Sequence, residues 1–229
     1  MTEQTTQKKY ELLKDDTVEH FGRTLYRIKA LITFGLVGAG QLGGYIETEK
    51  NLDHSGNAWV YDNALVYDDA RVYGNACVYD DAWVYGDARV YGNAQVYGNA
   101  RVFGNAWMCG NARVFGNAWM YGNARVYGNA RVYGDACVYG DAWVYGNACV
   151  YGNARVFGNA WVRSLAVISE RKMIFWASNV GSENGTLTVS NGKFGLIVTR
   201  GCFTGTVDEF LSKSKEVHDD KTHHEYKLL

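Results

Sequence analysis

A six-residue alternation of small, polar and apolar positions runs without a break from Gly56 to Arg163. The consensus unit is Gly/Asp–Asn/Asp–Ala–x–Val–Tyr/Phe, and eighteen such hexads follow one another in a single frame. Ala and Val are two residues apart, so their side chains point to one side of an extended segment, while the x and Tyr/Phe side chains point to the other. Gly and Asn or Asp tolerate the backbone angles of tight turns. Each hexad therefore predicts a short strand followed by a corner.

Repetition at a short fixed period is typical of solenoids, whose coils stack and bury a shared interior. Here the interior would be narrow, since it is filled by small Ala and β-branched Val. No single coil could bury such an interior alone, so stability would come from contacts between neighbouring coils. We therefore expect an all-β fold, with a parallel β-helix over residues 56–163.

The segment from Val126 to Arg131, V-Y-G-N-A-R, resembles the hexapeptide repeat of left-handed β-helix proteins. In that superfamily an aliphatic residue and a small residue four positions later both face inward, and three hexads make one triangular coil. The resemblance implies a left-handed helix of about six coils, roughly 25–30 Å tall at a strand spacing of ~4.8 Å. The sequence departs from the family at one position, because Tyr or Phe follows the aliphatic residue where a small or acidic residue is usual.

The regions on either side of the repeats are expected to close the ends of the helix, since open solenoid ends expose apolar interior and unpaired strand edges. We predict a tail and N-terminal cap over residues 1–55, with residues 1–9 disordered. Residues 10–13 are predicted to form a short strand. The segment 24–32, which begins as an alternation of apolar and basic residues, is predicted to form a strand that covers the first coil.

Residues 164–229 are predicted to form a small module of strands plus one helix at the other end of the β-helix. Asn184-Gly185 and Asn191-Gly192 are turn signals, and the second is typical of a tight hairpin. Thr206 to Glu209 forms a capping box, which predicts the start of an amphipathic helix. The polar tail from His218 either lengthens that helix or stays loose. Four strands are predicted in this region, at 166–168, 173–176, 186–189 and 194–198.

Gly38 to Gly43 matches the GxGxxG pattern of dinucleotide-binding proteins, and Asp62 follows about twenty residues later. That fingerprint requires a helix to open at the glycines within a βαβ unit. The repeats follow almost at once instead, and Asp62 is part of a hexad. We therefore interpret the glycines as a structural turn that leads into the β-helix, and we expect no cofactor.

The stretch from Leu25 to Asn57 also resembles the N-terminal segment of uncharacterised hexapeptide-repeat proteins of phages and prophages. This resemblance implies a viral or prophage origin and supplies no activity. The chain has no apolar run long enough to span a bilayer, and its start is polar, so we expect a cytoplasmic protein. The five Cys lack CxxC spacing, and the four in the repeats fall on different faces or distant coils, so reduced thiols are expected.

The charge of the chain is nearly balanced, with a net value of −1. The repeats contain eight Arg and eight Asp. Binding to a phosphate backbone draws its affinity from an excess of cations. The balance therefore disfavours nucleic acid as a partner, and it gives no general attraction to an anionic membrane.

The repeats contain no Ser, Thr, His, Lys or Glu, so the common nucleophiles and bases other than Cys and Asp are absent from them. Acyltransferases of the left-handed β-helix class typically use a His and often a projecting loop, whereas these repeats have no insertion. We therefore expect a non-enzymatic protein. The alternative is an acyltransferase with an acyl-CoA-type donor, in which His54 at the start of the first coil would be catalytic. His223 and His224 lie in the charged tail, and no metal site is expected.

With three hexads per coil, the outward x positions fall into three columns, one on each face of the helix. The third column contains only Arg and Trp, beside a column rich in Tyr. Large aromatic patches mark interaction sites, and Trp, Tyr and Arg are enriched in binding hot spots. We predict that this face binds a protein, either a second copy of the chain or a host protein. The predicted binding residues are Arg71, Arg89, Trp107, Arg125, Trp143 and Trp161 at x, with Tyr73, Tyr91, Tyr127 and Tyr145 beside them.

Other interpretations of the same columns stay open. Stacked Tyr columns and Arg-on-aromatic contacts stabilise a solenoid by themselves. Aromatic faces also stack on pyranose rings, so a glycan is a further class of ligand. Homotrimers are common in the superfamily that the repeats resemble, and a dimer along one face would bury the aromatic residues equally well. The Asn and Asp at the second hexad position are interpreted as corner residues whose side chains form a ladder along the stack.

Overall fold

The computed structural model describes residues 7–229 of the chain. It is a parallel β-solenoid of about seven turns. An antiparallel hairpin covers its N-terminal end, and an antiparallel sheet with two helices covers its C-terminal end. The N-terminal strands are β1 (Tyr10–His20), β2 (Arg23–Ala30) and β3 (Leu42–Ile46), and a 3₁₀ turn follows at Glu49–Asn51.

Each of the eighteen hexads contributes one two-residue strand, formed by its x residue and the apolar residue that follows. Strands three apart along the chain pair in parallel, for example Trp107 with Arg125, so hexads k and k+3 stack as predicted. The strands are β4 (Trp59–Val60), β5 (Leu65–Val66), β6 (Arg71–Val72), β7 (Cys77–Val78), β8 (Trp83–Val84), β9 (Arg89–Val90), β10 (Gln95–Val96), β11 (Arg101–Val102), β12 (Trp107–Met108), β13 (Arg113–Val114), β14 (Trp119–Met120), β15 (Arg125–Val126), β16 (Arg131–Val132), β17 (Cys137–Val138), β18 (Trp143–Val144), β19 (Cys149–Val150), β20 (Arg155–Val156) and β21 (Trp161–Val162).

Three parallel sheets result, and we call them the first, second and third faces. They contain β4, β5 and β6 respectively, each with every third strand that follows. The solenoid also extends beyond the repeats. β3 pairs with β5 on the second face, Leu52 bridges to Val72 on the third, and β22 (Val167–Ile168) pairs with β19 on the first. Eighteen hexads make six coils, as predicted, and these three flanking segments make the seventh.

The interior contains the Ala and the Val or Met of each hexad, and all of them are fully buried. The first hexad position provides the left-handed backbone of the corner. Gly110 has φ 68°, and Asp62 adopts the same region at φ 51°. The predicted amide ladder is present on the first column of corners, where Asn93 Nδ2 donates to Asn111 Oδ1 at 3.1 Å and Asn111 Nδ2 donates to Asn129 Oδ1 at 3.0 Å.

The hairpin of β1 and β2 covers the outward side of the second face at its N-terminal end. Leu25 on β2 is fully buried and packs with Leu65 and Tyr67. The strand predicted at 24–32 is therefore confirmed as β2, and it covers the first coil. The strand predicted at 10–13 is the start of the much longer β1, which sequence reasoning cut short because the charged residues after it break the apolar pattern.

The predicted disordered tail is wrong at its last residue. Lys9 is 1% exposed, and its Nζ donates to the carbonyl oxygen of Ala58 at 2.9 Å. Burial lowers the pKa of Lys9 to about 8, against the opposing attraction of Asp53. Lys9, the last residue of the predicted tail, is therefore part of the N-terminal cap. Residues 1–6 of the predicted tail lie outside the described residues.

The GxGxxG segment is a turn, as interpreted from the sequence. β3 begins at Leu42, within the motif, so a strand and no helix opens there. A side chain at Gly43 would place its Cβ 2.5 Å from the carbonyl oxygen of Val60. The glycine therefore permits close packing of β3 on the first hexad, which accounts for it without a nucleotide.

The C-terminal sheet contains β23 (Ile174–Val180), β24 (Gly185–Gly192), β25 (Gly195–Arg200) and β26 (Phe203–Gly205) in that order. β23, β24 and β25 match predicted strands, whereas β26 was not predicted. The strand predicted at 166–168 is β22, which belongs to the solenoid and not to this sheet. The predicted hairpin is displaced by two residues. Asn191 and Gly192 still pair with β25, so the loop is formed by Lys193 and Phe194.

Two helices follow the sheet, α1 (Val207–Val217) and α2 (Asp220–Leu228). The predicted capping box is confirmed, because Thr206 Oγ1 accepts from the Glu209 backbone N–H at 3.2 Å and Glu209 Oε2 accepts from the Thr206 N–H at 2.7 Å. The tail neither lengthens α1 nor stays loose. It forms α2, capped by Asp219 Oδ1, which accepts from the Thr222 N–H at 2.8 Å. Within residues 7–229, no helix is both long and apolar enough to cross a membrane.

Gly110 tests how tightly the corners of successive coils approach each other. A Cβ at Gly110 would lie 3.0 Å from the backbone nitrogen of Gly128, and the φ of 68° disfavours any L side chain. We expect Gly110→Ala to lower the free energy of unfolding by about 2–3 kcal/mol, measured by denaturant titration.

Gly22→Ala is the matched control, because Gly22 has φ 76° with no atom within 4 Å of the added Cβ. We expect a loss of about 1 kcal/mol from backbone strain alone. Equal losses in the two variants would contradict the close contact between coils.

Candidate functional site

The third face brings the six predicted x residues into one continuous column. Strand pairing places Arg71 beside Arg89, and each following x residue lies one coil further along the axis. The column therefore has six levels, which we number from the N-terminal end. Levels 1 to 6 are Arg71, Arg89, Trp107, Arg125, Trp143 and Trp161.

The Arg and Trp side chains of this column stack on one another along the axis. The guanidinium carbon of Arg125 lies 5.1 Å from the ring centre of Trp107 and 4.8 Å from that of Trp143. Arg89 lies 5.2 Å from Trp107 on its other side. Trp143 stacks on Trp161 with centroids 5.1 Å apart and an interplanar angle of 11°. Both faces of Trp107 and of Trp143 are thus covered within the chain, and these indoles offer their edges to a ligand rather than the flat faces on which sugars stack.

Exposure distinguishes the third column from the other two. On the first face, Trp59 is fully buried beneath Tyr10 and Phe34, with ring centroids 6.1 and 5.3 Å away. On the second face, Leu65 is buried under the N-terminal hairpin. On the third face, Arg71 is exposed. The third column is therefore the one that is exposed at its first level, and it remains exposed through Trp107.

The aromatic column beside it is divided into two stacked pairs. Tyr73 stacks on Tyr91 at 4.9 Å, and Tyr127 stacks on Tyr145 at 4.8 Å. Cys109 occupies the level between the pairs. A hydrogen bond between Cys109 and the Tyr91 hydroxyl, together with burial, raises the pKa of Tyr91 to about 12. The four predicted Tyr thus lie where expected, but they do not form one unbroken stack.

Residues that sequence reasoning left out border the same face. Arg163 ends the aromatic column, and its Nη1 donates to the Tyr145 hydroxyl at 3.2 Å. An open cleft of about 510 Å³ runs along levels 2 to 5. The hexad frame could have identified the Asn and Asp that line this cleft, because it assigns the second position of each unit to the corner beside x. The cleft is lined by Asp87, Arg89, Asn105, Trp107, Asn123, Arg125 and Asp141.

His54 lies in a second cleft of about 510 Å³, at the N-terminal end of the third face, with Arg71 and Tyr73. The backbone N–H of Lys9 donates to its Nδ1 at 3.2 Å, so the neutral ring carries its proton on Nε2. The ring stacks on Tyr10 at 4.3 Å, and burial lowers its pKa. A general base needs a free lone pair towards the substrate. The Nδ1 lone pair of His54 is taken by this N–H and its Nε2 lies 3.8 Å from Glu49 Oε2, so Nδ1 is not offered as a base in this arrangement; the acyltransferase alternative stays a prediction.

The remaining candidate groups are placed elsewhere. All five Cys are free thiols, as predicted. His223 is 9% exposed and its Nδ1 lies 3.0 Å from Ser214 Oγ, so it joins α2 to α1 and does not belong to a solvated tail. Within the part of the chain that the structure describes, no group of three or more His, Cys, Asp or Glu side chains is placed to hold a metal ion.

These observations define the chain as a parallel β-helix repeat protein. A family model described as the YdcK beta solenoid repeat matches eight segments of it, between residues 70 and 164. Together the segments cover less than half of the chain, so the similarity concerns the repeat. The matched residues are 70–86, 82–96, 94–110, 108–122, 120–134, 124–140, 130–146 and 148–164. None of the curated proteins compared with this sequence matches it.

The aromatic columns predict a loss of stability at high pH. Burial raises the pKa of Tyr79 to about 12, and Tyr91 also lies at about 12, whereas unfolded tyrosines ionise at about pH 10. These two tyrosines contribute to the free energy of unfolding. Their contribution is fully present below about pH 10 and is lost as the pH rises towards about 12, because the tyrosines of the unfolded chain release their protons first. We expect the melting temperature to fall across this range, measured by circular dichroism.

The double variant Tyr79→Phe/Tyr91→Phe isolates this effect, because Phe already occupies the equivalent hexad position at 103 and 115. Its melting temperature should fall less steeply than that of the wild type above about pH 10. Parallel curves for the two proteins would show that these hydroxyls do not cause the loss.

Proposed function

We propose that this protein is a non-enzymatic scaffold that binds a protein partner through the third face of its solenoid. The left-handed hexapeptide-repeat assignment and a phage or prophage origin belong to this proposal and rest on sequence resemblance. In that setting the partner is either a second copy of the chain or a protein of the bacterial host. The cytoplasm is the compartment in which we expect the encounter.

The observation that carries the proposal is the exposure of the third column at its first three levels, followed by three half-buried levels. The structure covers the outward side of the first two faces at their N-terminal ends and leaves Arg71, Arg89 and Trp107 exposed. Arg and Trp are the residues that most often dominate binding energy at protein interfaces. Stacking also fixes Arg89, Trp107 and Arg125 before binding, so less side-chain entropy remains to be lost when a partner docks.

The charge pattern of the face favours a protein over a nucleic acid. Asp87 and Asp141 line the same cleft as Arg89 and Arg125, so the cations do not form a continuous basic track. Phosphate chains require such an excess of positive charge. A folded surface with mixed charges and apolar edges suits a protein with the same mixture.

A pair of adjacent arginines on the third face and a similar pair on the first face give a matched test of the proposal. Arg71→Ala/Arg89→Ala removes two exposed cations from the third face, and Arg113→Ala/Arg131→Ala removes two from the first. We expect the wild type and the first-face variant to bind the same protein, and the third-face variant to bind it at least tenfold more weakly. The measurements are stoichiometric capture from bacterial lysate, followed by titration with the purified partner, and sedimentation of the protein alone to detect self-association.

Circular dichroism must show that all three proteins are folded. The proposal is wrong if no protein, including a second copy of the chain, binds stoichiometrically. It is equally wrong if both double variants lose the partner to the same degree.

A further inference from the structure

The third column is complementary to its own reverse. From level 1 to level 6 it reads Arg, Arg, Trp, Arg, Trp, Trp, and from level 6 to level 1 it reads Trp, Trp, Arg, Trp, Arg, Arg. Every Arg in one order therefore faces a Trp in the other. The correspondence holds at all six levels, although the two residue types do not simply alternate.

We propose that the third face binds a second copy of this chain in an antiparallel dimer. A two-fold axis that lies between the faces and perpendicular to the solenoid axes places level 1 of one copy opposite level 6 of the other. Levels 2 and 5, and levels 3 and 4, are then opposite as well. This inference rests on the proposed function and names the partner in it.

Electrostatics decides between this arrangement and a parallel one. With parallel axes, equal levels face each other, so Arg71, Arg89 and Arg125 would each meet the same Arg of the other copy. Like charges placed opposite each other at an interface are strongly unfavourable. In the antiparallel dimer each guanidinium lies against the edge of an uncharged indole instead, and its methylene stem covers apolar ring surface.

The columns on either side of x also meet in the antiparallel dimer. A two-fold axis of this orientation places each column opposite the same column of the second copy, so Asp87 at level 2 lies opposite Asp141 at level 5 and an arginine must offset their repulsion. Arg89 at level 2 then has Asp141 of the other copy at its own height, one column away, within the reach of a guanidinium. Arg163 at level 6 lies opposite Tyr73 at level 1, and its guanidinium is held within its own chain by the Tyr145 hydroxyl and the Cys202 carbonyl oxygen. When equal levels meet, Arg89 would have Asp87 of the other copy at its own height, but it would also face the same Arg of that copy, so the x column favours the antiparallel order.

The other two faces lack this pattern. On the first face, the antiparallel order places Arg113 opposite Gln95 and Arg131 opposite Cys77, and the Trp of that column is buried beneath the cap. On the second face, the N-terminal hairpin covers the first levels. The third face is therefore the one whose x column is both uncovered at its N-terminal end and complementary to its own reverse, while at level 6 the C-terminal sheet contacts it through the bond from the Trp161 N–H to Thr188 Oγ1.

The size of the face indicates a weak dimer. Six strands at ~4.8 Å and a side of about five residues give a strip of roughly 450 Å² per copy. A standard stable interface buries about 800 Å² per partner. We therefore expect a dissociation constant between ~1 and ~100 µM, so self-association must be measured at high protein concentration.

A pair of exchanged residues tests the complementarity directly. Trp143→Arg places an Arg opposite Arg89 twice in the dimer, and we expect the dissociation constant to rise at least tenfold. Arg89→Trp/Trp143→Arg restores an Arg opposite a Trp at levels 2 and 5, and Asp87 then accompanies the new Arg as Asp141 did the old one. The double variant should therefore return to within about threefold of the wild type.

Sedimentation equilibrium of the full chain, from ~1 to ~300 µM, measures these constants. Arg113→Ala/Arg131→Ala on the first face is the control and should dimerise like the wild type. Circular dichroism must show that every variant is fully folded at the temperature of the sedimentation experiment. Full folding without recovery of dimerisation in the exchanged double variant would overturn the pairing of levels 2 and 5.

The direction of the dimer has a separate readout. Arg71 is replaced by the photoreactive amino acid p-benzoylphenylalanine, and the cross-linked peptides are identified by mass spectrometry. The antiparallel dimer predicts cross-links from position 71 to residues around Trp161. Cross-links from position 71 to itself would overturn the proposal in favour of parallel axes.

The two proposals fail in different ways. A wild-type chain that stays monomeric at every concentration, yet binds a host protein that Arg71→Ala/Arg89→Ala loses, overturns the dimer and supports the binding face. A monomer without such a partner overturns both.

Discussion

The parallel backbone ladder between successive coils is the interaction on which the rest of the structure depends. On the third face, the Trp107 N–H donates to the Ala124 carbonyl at 2.9 Å, and the Cys109 N–H donates to the Val126 carbonyl at 3.1 Å. Equivalent bonds join the coils on all three faces. A shift by one residue would turn every buried Ala and Val outward, so the register is fixed. Each side chain must therefore lie directly beside its counterpart in the next coil, at ~4.8 Å.

That constraint explains the surface composition. Aromatic rings tolerate such a neighbour well, and Tyr97 and Phe115 stack at 4.7 Å with an interplanar angle of 1°. Arginines do not, because two guanidinium groups in adjacent coils repel. The chain places Arg125 between two Trp rings, and it keeps Arg71 and Arg89 exposed, where water screens their repulsion. The contacts that stabilise the solenoid and the pattern that a partner would meet thus have the same origin.

The repeat region could be predicted almost completely from the sequence, because each hexad specifies its own strand and corner through local rules. The flanks could not. Lys9 is buried through contacts with residues about fifty positions later, and no local pattern signals such a contact. The loop at Lys193 and Phe194 depends on pairing that continues through an Asn-Gly signal. The role of His54 was also inaccessible, since it depends on which backbone N–H group reaches Nδ1. For the candidate site, the column of Arg and Trp and its order could be predicted from the sequence. That the N-terminal segment covers the start of the first and second faces could be seen only in the three-dimensional structure.

The number of hexads before any given position sets the face on which that residue lies. Because three hexads complete a coil, the gain or loss of three at once would lengthen or shorten the solenoid and leave every later residue on its original face. The gain or loss of a single hexad would leave the fold, the interior and the ladder intact, but it would move every later side chain to the neighbouring face. The column of Arg and Trp would then be divided between two faces. A change of one hexad could therefore remove this surface without removing the fold.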